Sequence, residues 1–507
     1  MFDRRCSGVL LHPTSLPSRY GVGDLGEGAY GFVDFLHQSD QQVWQILPLG
    51  PTGKGNSPYL AYSALAGNPL LISLDVLFGD GLLTEEDLQE IEEIFDKQNP
   101  SRVNYDLVIE SKFPLLRKAF NAFQEKDEDE YKADFRRFCE DYGYWLEDYS
   151  LFMALKEYHQ DRAWFQWDQD IAKRQPEAIH RWQMKLGDEM FYHKFLQFSF
   201  FRQWSNLKSY ANERQVKIFG DIPIYVAHDS VDVWANQGIF CLDEVTGAAA
   251  SMAGVPPDYF SETGQLWGNP VYDWDELQGT NFAWWVQRIK GMLEYVDIMR
   301  IDHFRGFESF WAVPQGETTA MNGEWVRALG DDFFAILEQE LGVLPIVAED
   351  LGVITPEVEA LRDKYNFPGM KVLHFAFDSD RANGFLPYNY TTPNCVAYTG
   401  THDNDTTVGW FTKRSFEERQ RVLDYLGALT DQGIHWSLIR LALASVANIA
   451  IFPVQDLLGL GSESKMNTPG TVEENWSWRY RGGALDDQMA NHLKHLTYIY
   501  GRKFIGD

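Results

Sequence analysis

The sequence predicts a (β/α)8 barrel, and three observations carry that prediction. Short, strongly apolar runs recur eight times and end in polar or charged residues. Helix-length segments separate most of them. The chain is 507 residues long with 45% apolar and 23% charged residues, enough for one large core. Length alone would suggest about three domains at ~150 residues each, but a single elaborated barrel can absorb more than ~400 residues.

The runs, in order, are Gly8–Leu16, Val43–Leu49, Val216–Val226 and Val296–Asp302, then Ile346–Asp350, Met370–Phe377, Val396–Asp403 and Ala450–Gln455. Runs this apolar fit strands buried on both faces, as a parallel sheet requires. Phe282–Met292, Asp331–Leu341 and Pro356–Tyr365 read as the helical crossovers of a repeated βα unit. Closure places the active site at the C-terminal ends of the strands.

The stretch between the second and third runs is too long for a loop. Thr84–Phe95 opens like a capping box and carries Leu88, Ile91, Ile94 and Phe95 on one helical face. Phe113–Phe123, Tyr131–Cys139, Trp145–Tyr158 and Met190–Asn206 also read as helices. The expected organisation is one catalytic domain over 1–507, a helical subdomain inserted at 75–210, and a loop region at 243–280. The acidic run Glu125–Glu130 reads as a solvated helix end or loop.

A formal charge of −30 argues against nucleic acid and against anionic lipid, since both need a basic face. A neutral small molecule or polymer is the expected partner. Aromatic residues make up 15% of the chain, and their flat faces suit sugar rings. The four cysteines, Cys6, Cys139, Cys241 and Cys395, are far apart and form no Cys-x-x-Cys pair. No apolar run is long enough for a signal peptide or a membrane span, so a cytoplasmic protein is expected, with the plastid stroma as the alternative if a transit peptide has been removed.

Two motifs are decoys. Gly21–Gly26 (GVGDLG) matches a dinucleotide fingerprint, but it does not directly follow its strand and no acidic residue closes the next one. Ser462–Lys465 matches Ser-x-x-Lys without the motifs that accompany it in serine acyl-transfer enzymes.

The strand-end carboxylates are different. Asp302, Glu349 with Asp350, and Asp403 close three runs, and Asp221 lies within a fourth. One such acid is ordinarily a helix cap or a solvated turn. Acids at four strand ends of one barrel converge, and converging carboxylates without a metal suit glycosyl transfer. Arg300 lies two residues before Asp302, on the same strand face, and would hold that carboxylate ionised. His303 and His402 add neutral donors for sugar hydroxyls. A barrel metal site is the competing reading, but it favours several strand-end histidines, including His-x-His, which the sequence lacks.

Asp221–Val226 (DIPIYV), Arg300–Gly306 (RIDHFRG), Ala348–Gly352 (AEDLG) and Thr401–Asn404 (THDN) resemble, in order, the signature segments of the 4-α-glucanotransferases of glycoside hydrolase family 77. The resemblance runs from Ser7 through NSPYLAYSALAGNP (56–69) to NTPGTVEENWSWR (467–479). It implies a retaining mechanism with Asp302 as nucleophile, Glu349 as general acid/base and Asp403 as transition-state stabiliser. Their Asp302 and Glu349 carboxyls would then sit roughly 5–5.5 Å apart. It further implies that Asp221, Arg300 and His402 serve the donor subsite. Tyr59 is the candidate platform under the donor sugar. Tyr259, Phe260 and Trp267, in the Pro/Gly-rich segment Gly254–Trp274, are candidates for the acceptor side. Asp350 reads as structural. No cofactor or metal is implied, the expected substrates are maltooligosaccharides and α-1,4-glucans, and the expected state is a monomer or weak homodimer. The alternatives are an α-amylase-like hydrolase and a non-catalytic glucan-binding barrel.

Overall fold

The computed structural model describes residues 4–257, 261–427, 431–471 and 474–503. Its strands are β1 (Cys6–Leu10), β2 (Val43–Gln45), β3 (Lys217–Pro223), β4 (Ser251–Val255), β5 (Gln265–Pro270) and β6 (Ile298–Asp302), followed by β7 (Ser309–Pro314), β8 (Glu324–Arg327), β9 (Ile346–Ala348), β10 (Gly369–Val372), β11 (Cys395–Tyr398) and β12 (Ile449–Pro453). Eight of them form one all-parallel sheet in the order β10-β11-β12-β1-β2-β3-β6-β9. The two ends of that order meet where the Ala348 N–H donates to the Pro368 carbonyl at 2.9 Å, which closes the barrel. Each predicted run overlaps one barrel strand. The apolar residues of the barrel strands are almost fully buried, as expected for a sheet covered by side chains inside and by helices outside.

Several predicted runs overshoot their strands. Met370–Phe377 ends as a strand at Val372 and turns into a 3-10 helix over Leu373–Phe375, and the second run stops at Gln45, before Pro48. Residues past a strand end still line the barrel mouth, so hydrophobicity outlasts the ladder. Between β2 and β3 the chain forms helices that include Glu85–Phe95, Tyr105–Glu125, Glu130–Asp141, Gly143–Tyr158 and Gly187–Glu213. The first is capped by a reciprocal Thr84–Asp87 box and buries Leu88, Ile91 and Phe95, whereas Ile94 is 40% exposed, a quarter-turn off the buried face. The Gly187–Glu213 helix packs against β3 itself and so also serves as a barrel helix.

The sequence did not announce a second sheet. It is antiparallel, ordered β5-β4-β7-β8. Half of it comes from the 243–280 region read as a loop: β4 and β5 pair as a hairpin with a register shift between Met252 and Gly254. Gly254 is required there, because a Cβ would stand 2.4 Å from the Gln265 carbonyl oxygen.

The first barrel strand and the last described residues meet. Arg502 is fully buried and donates to the carbonyls of Cys6 and Leu443 at 2.8 Å and of Ala447 at 3.0 Å. It thereby ties the last described helix to β1, to the Ile434–Ala444 helix and to the approach to β12.

Candidate active site

The site assembles where β3, β6, β9 and β11 end. Asp221 pairs with Arg300 and Ile301 with Ala348 across the ladder. Asp302 and Glu349 therefore follow at neighbouring positions on adjacent parallel strands, where the lateral spacing is about 4.8 Å. The Glu349 N–H donates to the Ile301 carbonyl at 3.0 Å and fixes this register at the rim.

Arg300, almost wholly buried, is the hub. One guanidinium nitrogen donates to Asp221 Oδ2 at 2.5 Å and the other to Asp302 Oδ1 at 2.7 Å. The Asp221 carboxylate also accepts from the Tyr59 hydroxyl at 2.7 Å. Burial pushes Asp221 up, and Arg300 opposes that push. Asp302 keeps a side-chain exposure of 30% toward the cleft, against none for Asp221. One arginine thus anchors a buried acid and orients an accessible one.

Glu349 is gripped by backbone. Its Oε2 accepts from the His303 N–H at 2.7 Å and its Oε1 from the Leu351 N–H at 2.8 Å. His303 adopts a left-handed conformation (φ 53°) to turn that N–H inward. Burial, and then the nearby Asp302 carboxylate, push Glu349 up to about 7. Such a carboxyl carries a proton near neutrality and can give it up.

Asp403 is treated in the opposite way. Burial opposes ionisation, but His402 at 3.3 Å and the Asn467 side-chain amide at 2.6 Å outweigh it, and Asp403 is drawn down to about 2. His402 is the counterpart: burial lowers it, yet the Asp403 charge holds it above its ordinary value. His402, expected from the sequence as a neutral donor, is thereby biased toward its protonated form beside the ionised Asp403. His303 does stay neutral, since burial lowers it to about 4.

The aromatic residues gather around these groups. Tyr59 stacks on His402 with centroids 5.1 Å apart and ring planes 16° apart, and Trp476 leans on both. Trp267, on β5, meets the His303 ring edge-on at 4.8 Å. Tyr259 and Phe260 lie outside the described residues. Asp350 points away from the cleft, accepts from the Met370 N–H at 2.7 Å and pairs with Arg362. Asn467, Trp476 and the His303 and Leu351 N–H groups belong to the site without having been picked out from the sequence. Backbone donors leave no residue signature, and Asn467 and Trp476 carried only the general resemblance of their segment. Among the described residues, no group of three or more His, Cys, Asp or Glu is arranged to hold a metal ion.

A parallel (β/α)8 barrel whose mouth gathers acids of divided protonation around one guanidinium is built like an enzyme that moves glycosyl groups. The family described as 4-alpha-glucanotransferase matches residues 11–486. A 4-alpha-glucanotransferase of Synechocystis is 62% identical over 99% of both chains, and one of Thermus thermophilus is 47% identical over 97% of this chain and 98% of its own. An amylomaltase from Streptococcus agalactiae, solved in complex with acarbose, superposes with a TM-score of 0.95 at 40% identity and covers 99% of this chain and 100% of its own. The chain belongs to the 4-α-glucanotransferase family.

Proposed function

We propose that this 4-α-glucanotransferase passes α-1,4-glucan segments between maltooligosaccharides by a retaining double displacement. The observation that carries the reading is the in-register placement of Asp302 and Glu349 on adjacent strands, with Glu349 pushed up to about 7. That neighbouring placement is compatible with the roughly 5–5.5 Å carboxyl separation of retaining enzymes. Asp302, oriented by Arg300, attacks the anomeric carbon while Glu349 protonates the departing glycosidic oxygen. The C–O bond breaks and a β-glycosyl ester on Asp302 forms. The 4-hydroxyl of an acceptor sugar then gives its proton to the Glu349 carboxylate and attacks the same carbon, restoring the α-linkage and freeing Asp302.

Asp403, with His402, binds hydroxyls of the distorted donor sugar in the transition state. Tyr59, anchored by the buried Asp221, serves as a platform for the same ring, and His303 donates from beside the nucleophile. On the acceptor side the region 243–280 excludes water and aligns the incoming chain through Trp267 and, by their place in the sequence, Tyr259 and Phe260. The helices within 75–210 act as an inserted subdomain. Among the described residues no helix is long and apolar enough to cross a membrane.

The test is incubation with maltotriose, with products separated and reducing ends counted over time. Glucose plus a ladder of longer oligomers at constant reducing ends is the expected result. Rising reducing ends without longer products would mean hydrolysis and would overturn the transfer reading.

A further inference from the structure

The four-stranded sheet carries a pair of indoles that the reaction above does not use. Trp311 on β7 and Trp325 on β8 are direct cross-strand partners and share one face. Their rings meet edge-to-face at 5.3 Å and 68°. Trp325 sits on the edge strand between exposed Glu324 and partly exposed Val326, and it remains 41% exposed itself.

Both rings are held in place. The Trp311 indole N–H donates to the Ala320 carbonyl at 2.8 Å, and its ring lies flat enough on Gly323 that a Cβ there would come within 2.3 Å of it. The Arg305 guanidinium lies 3.8 Å from the Trp325 ring centroid. Arg305 is itself bound to the Val353 carbonyl and, at 3.2 Å, to the Ser309 hydroxyl. Rigid aromatic surfaces of this kind lose little entropy on binding, which is why they serve as recognition platforms.

The pair is continuous with the site on both flanks. Arg305 belongs to the 3-10 turn Phe304–Phe307, immediately after Asp302 and His303. Val353 follows Glu349 on the loop after β9. On the other flank, the Ala320 N–H donates to the Thr263 carbonyl at 3.0 Å, which joins the Trp311 support to the β4–β5 hairpin carrying Trp267. From β5 to β8 the sheet spans three strand spacings, about 14 Å, a distance that takes several sugar residues to cross. A lone exposed indole needs no explanation. A braced pair linked through Arg305 to the loop after Glu349 and through Ala320 to the acceptor-side hairpin does.

We propose that Trp325 and Trp311 form a distal subsite for the acceptor, stacking on the sugar rings of an α-1,4-glucan several units beyond the point of transfer. The proposal rests on the glucanotransferase reading for the identity of the ligand. The subsite rewards long acceptors and is out of reach of short ones, so it sets chain-length preference.

The test uses the Glu349→Gln protein, which holds substrates without turning them over, and measures its affinity for maltoheptaose and for maltotriose by calorimetry, with and without Trp325→Ala. The ratio of the two affinities is expected to fall about tenfold in Trp325→Ala and to recover in Trp325→Tyr, which restores an aromatic face. An unchanged ratio in a Trp325→Ala protein with wild-type melting behaviour would overturn the proposal, and so would an equal loss for both ligands. If Trp325→Ala fails to fold, Trp325→Gln in the same assay decides in the same way. Failure of the activity reading shows up separately, as the absence of glucose release from maltotriose by the unmodified protein.

Discussion

The ends of β9 and β11 make an instructive pair. Each presents a carboxylate to the same cleft, yet Glu349 is pushed up to about 7 and Asp403 is drawn down to about 2. The residue types barely differ. What differs is the company: a neighbouring carboxylate beside Glu349, and a histidine and an amide donor beside Asp403. Two acids in one site therefore take different jobs because their neighbours set different proton affinities.

The harshest way to break this comparison is to remove what Glu349 works with. Asp302→Ala is expected to lower maltotriose turnover by roughly 10³-fold or more with the fold intact, read by product release and circular dichroism. Asp403→Asn comes next, at about 10²-fold in kcat. It also removes the charge that holds His402 up, so the His402 imidazole should titrate at lower pH in NMR; an unmoved His402 titration would contradict the pairing. Tyr59→Phe keeps the stacking ring but loses the hydrogen bond to Asp221, and about a tenfold loss in kcat/KM is expected.

The pH dependence sharpens the contrast. Glu349 acts as an acid while protonated, so kcat/KM of the unmodified protein is expected to fall as pH rises through about 7, and a flat profile across that range would contradict the assignment. Its folded proton affinity exceeds its unfolded one. Folding therefore takes up a proton between the ordinary Glu range and about 7, and stability contributed by the protonated form is lost as pH rises through that window. At pH 8, Glu349→Gln should melt ~1–2 °C above wild type, the smallest effect of the set. Asp403 runs the other way: its contribution is present above the ordinary Asp range and is lost as pH falls through about 2.

Much of this was legible in the residues. Barrel strands betray themselves as apolar runs, and Asp302, Glu349 and Asp403 stood out because each stops such a run. Asp350 could be set aside because strand alternation turns it away from Glu349. The second sheet hid because β4 and β5 each carry a glycine and pair with a register shift, so neither reads as an apolar run or as a clean alternation. The upward shift of His402 was beyond a sequence reading. It depends on Asp403 lying 3.3 Å away with burial on every side, which only the folded mouth creates.

The way the barrel closes has a consequence for how the protein is made. β1 pairs with β2 on one side and with β12 on the other, and the Cys6 carbonyl accepts from Arg502. Cys6 leaves the ribosome 496 residues ahead of Arg502. While the residues between β2 and β12 are being made, one edge of β1 has no partner, an open strand edge of the kind that recruits other chains. Ring closure is accordingly a late event governed by long-range contacts, and the nascent chain's solubility depends on the earlier helices and the strongly negative surface rather than on the finished barrel.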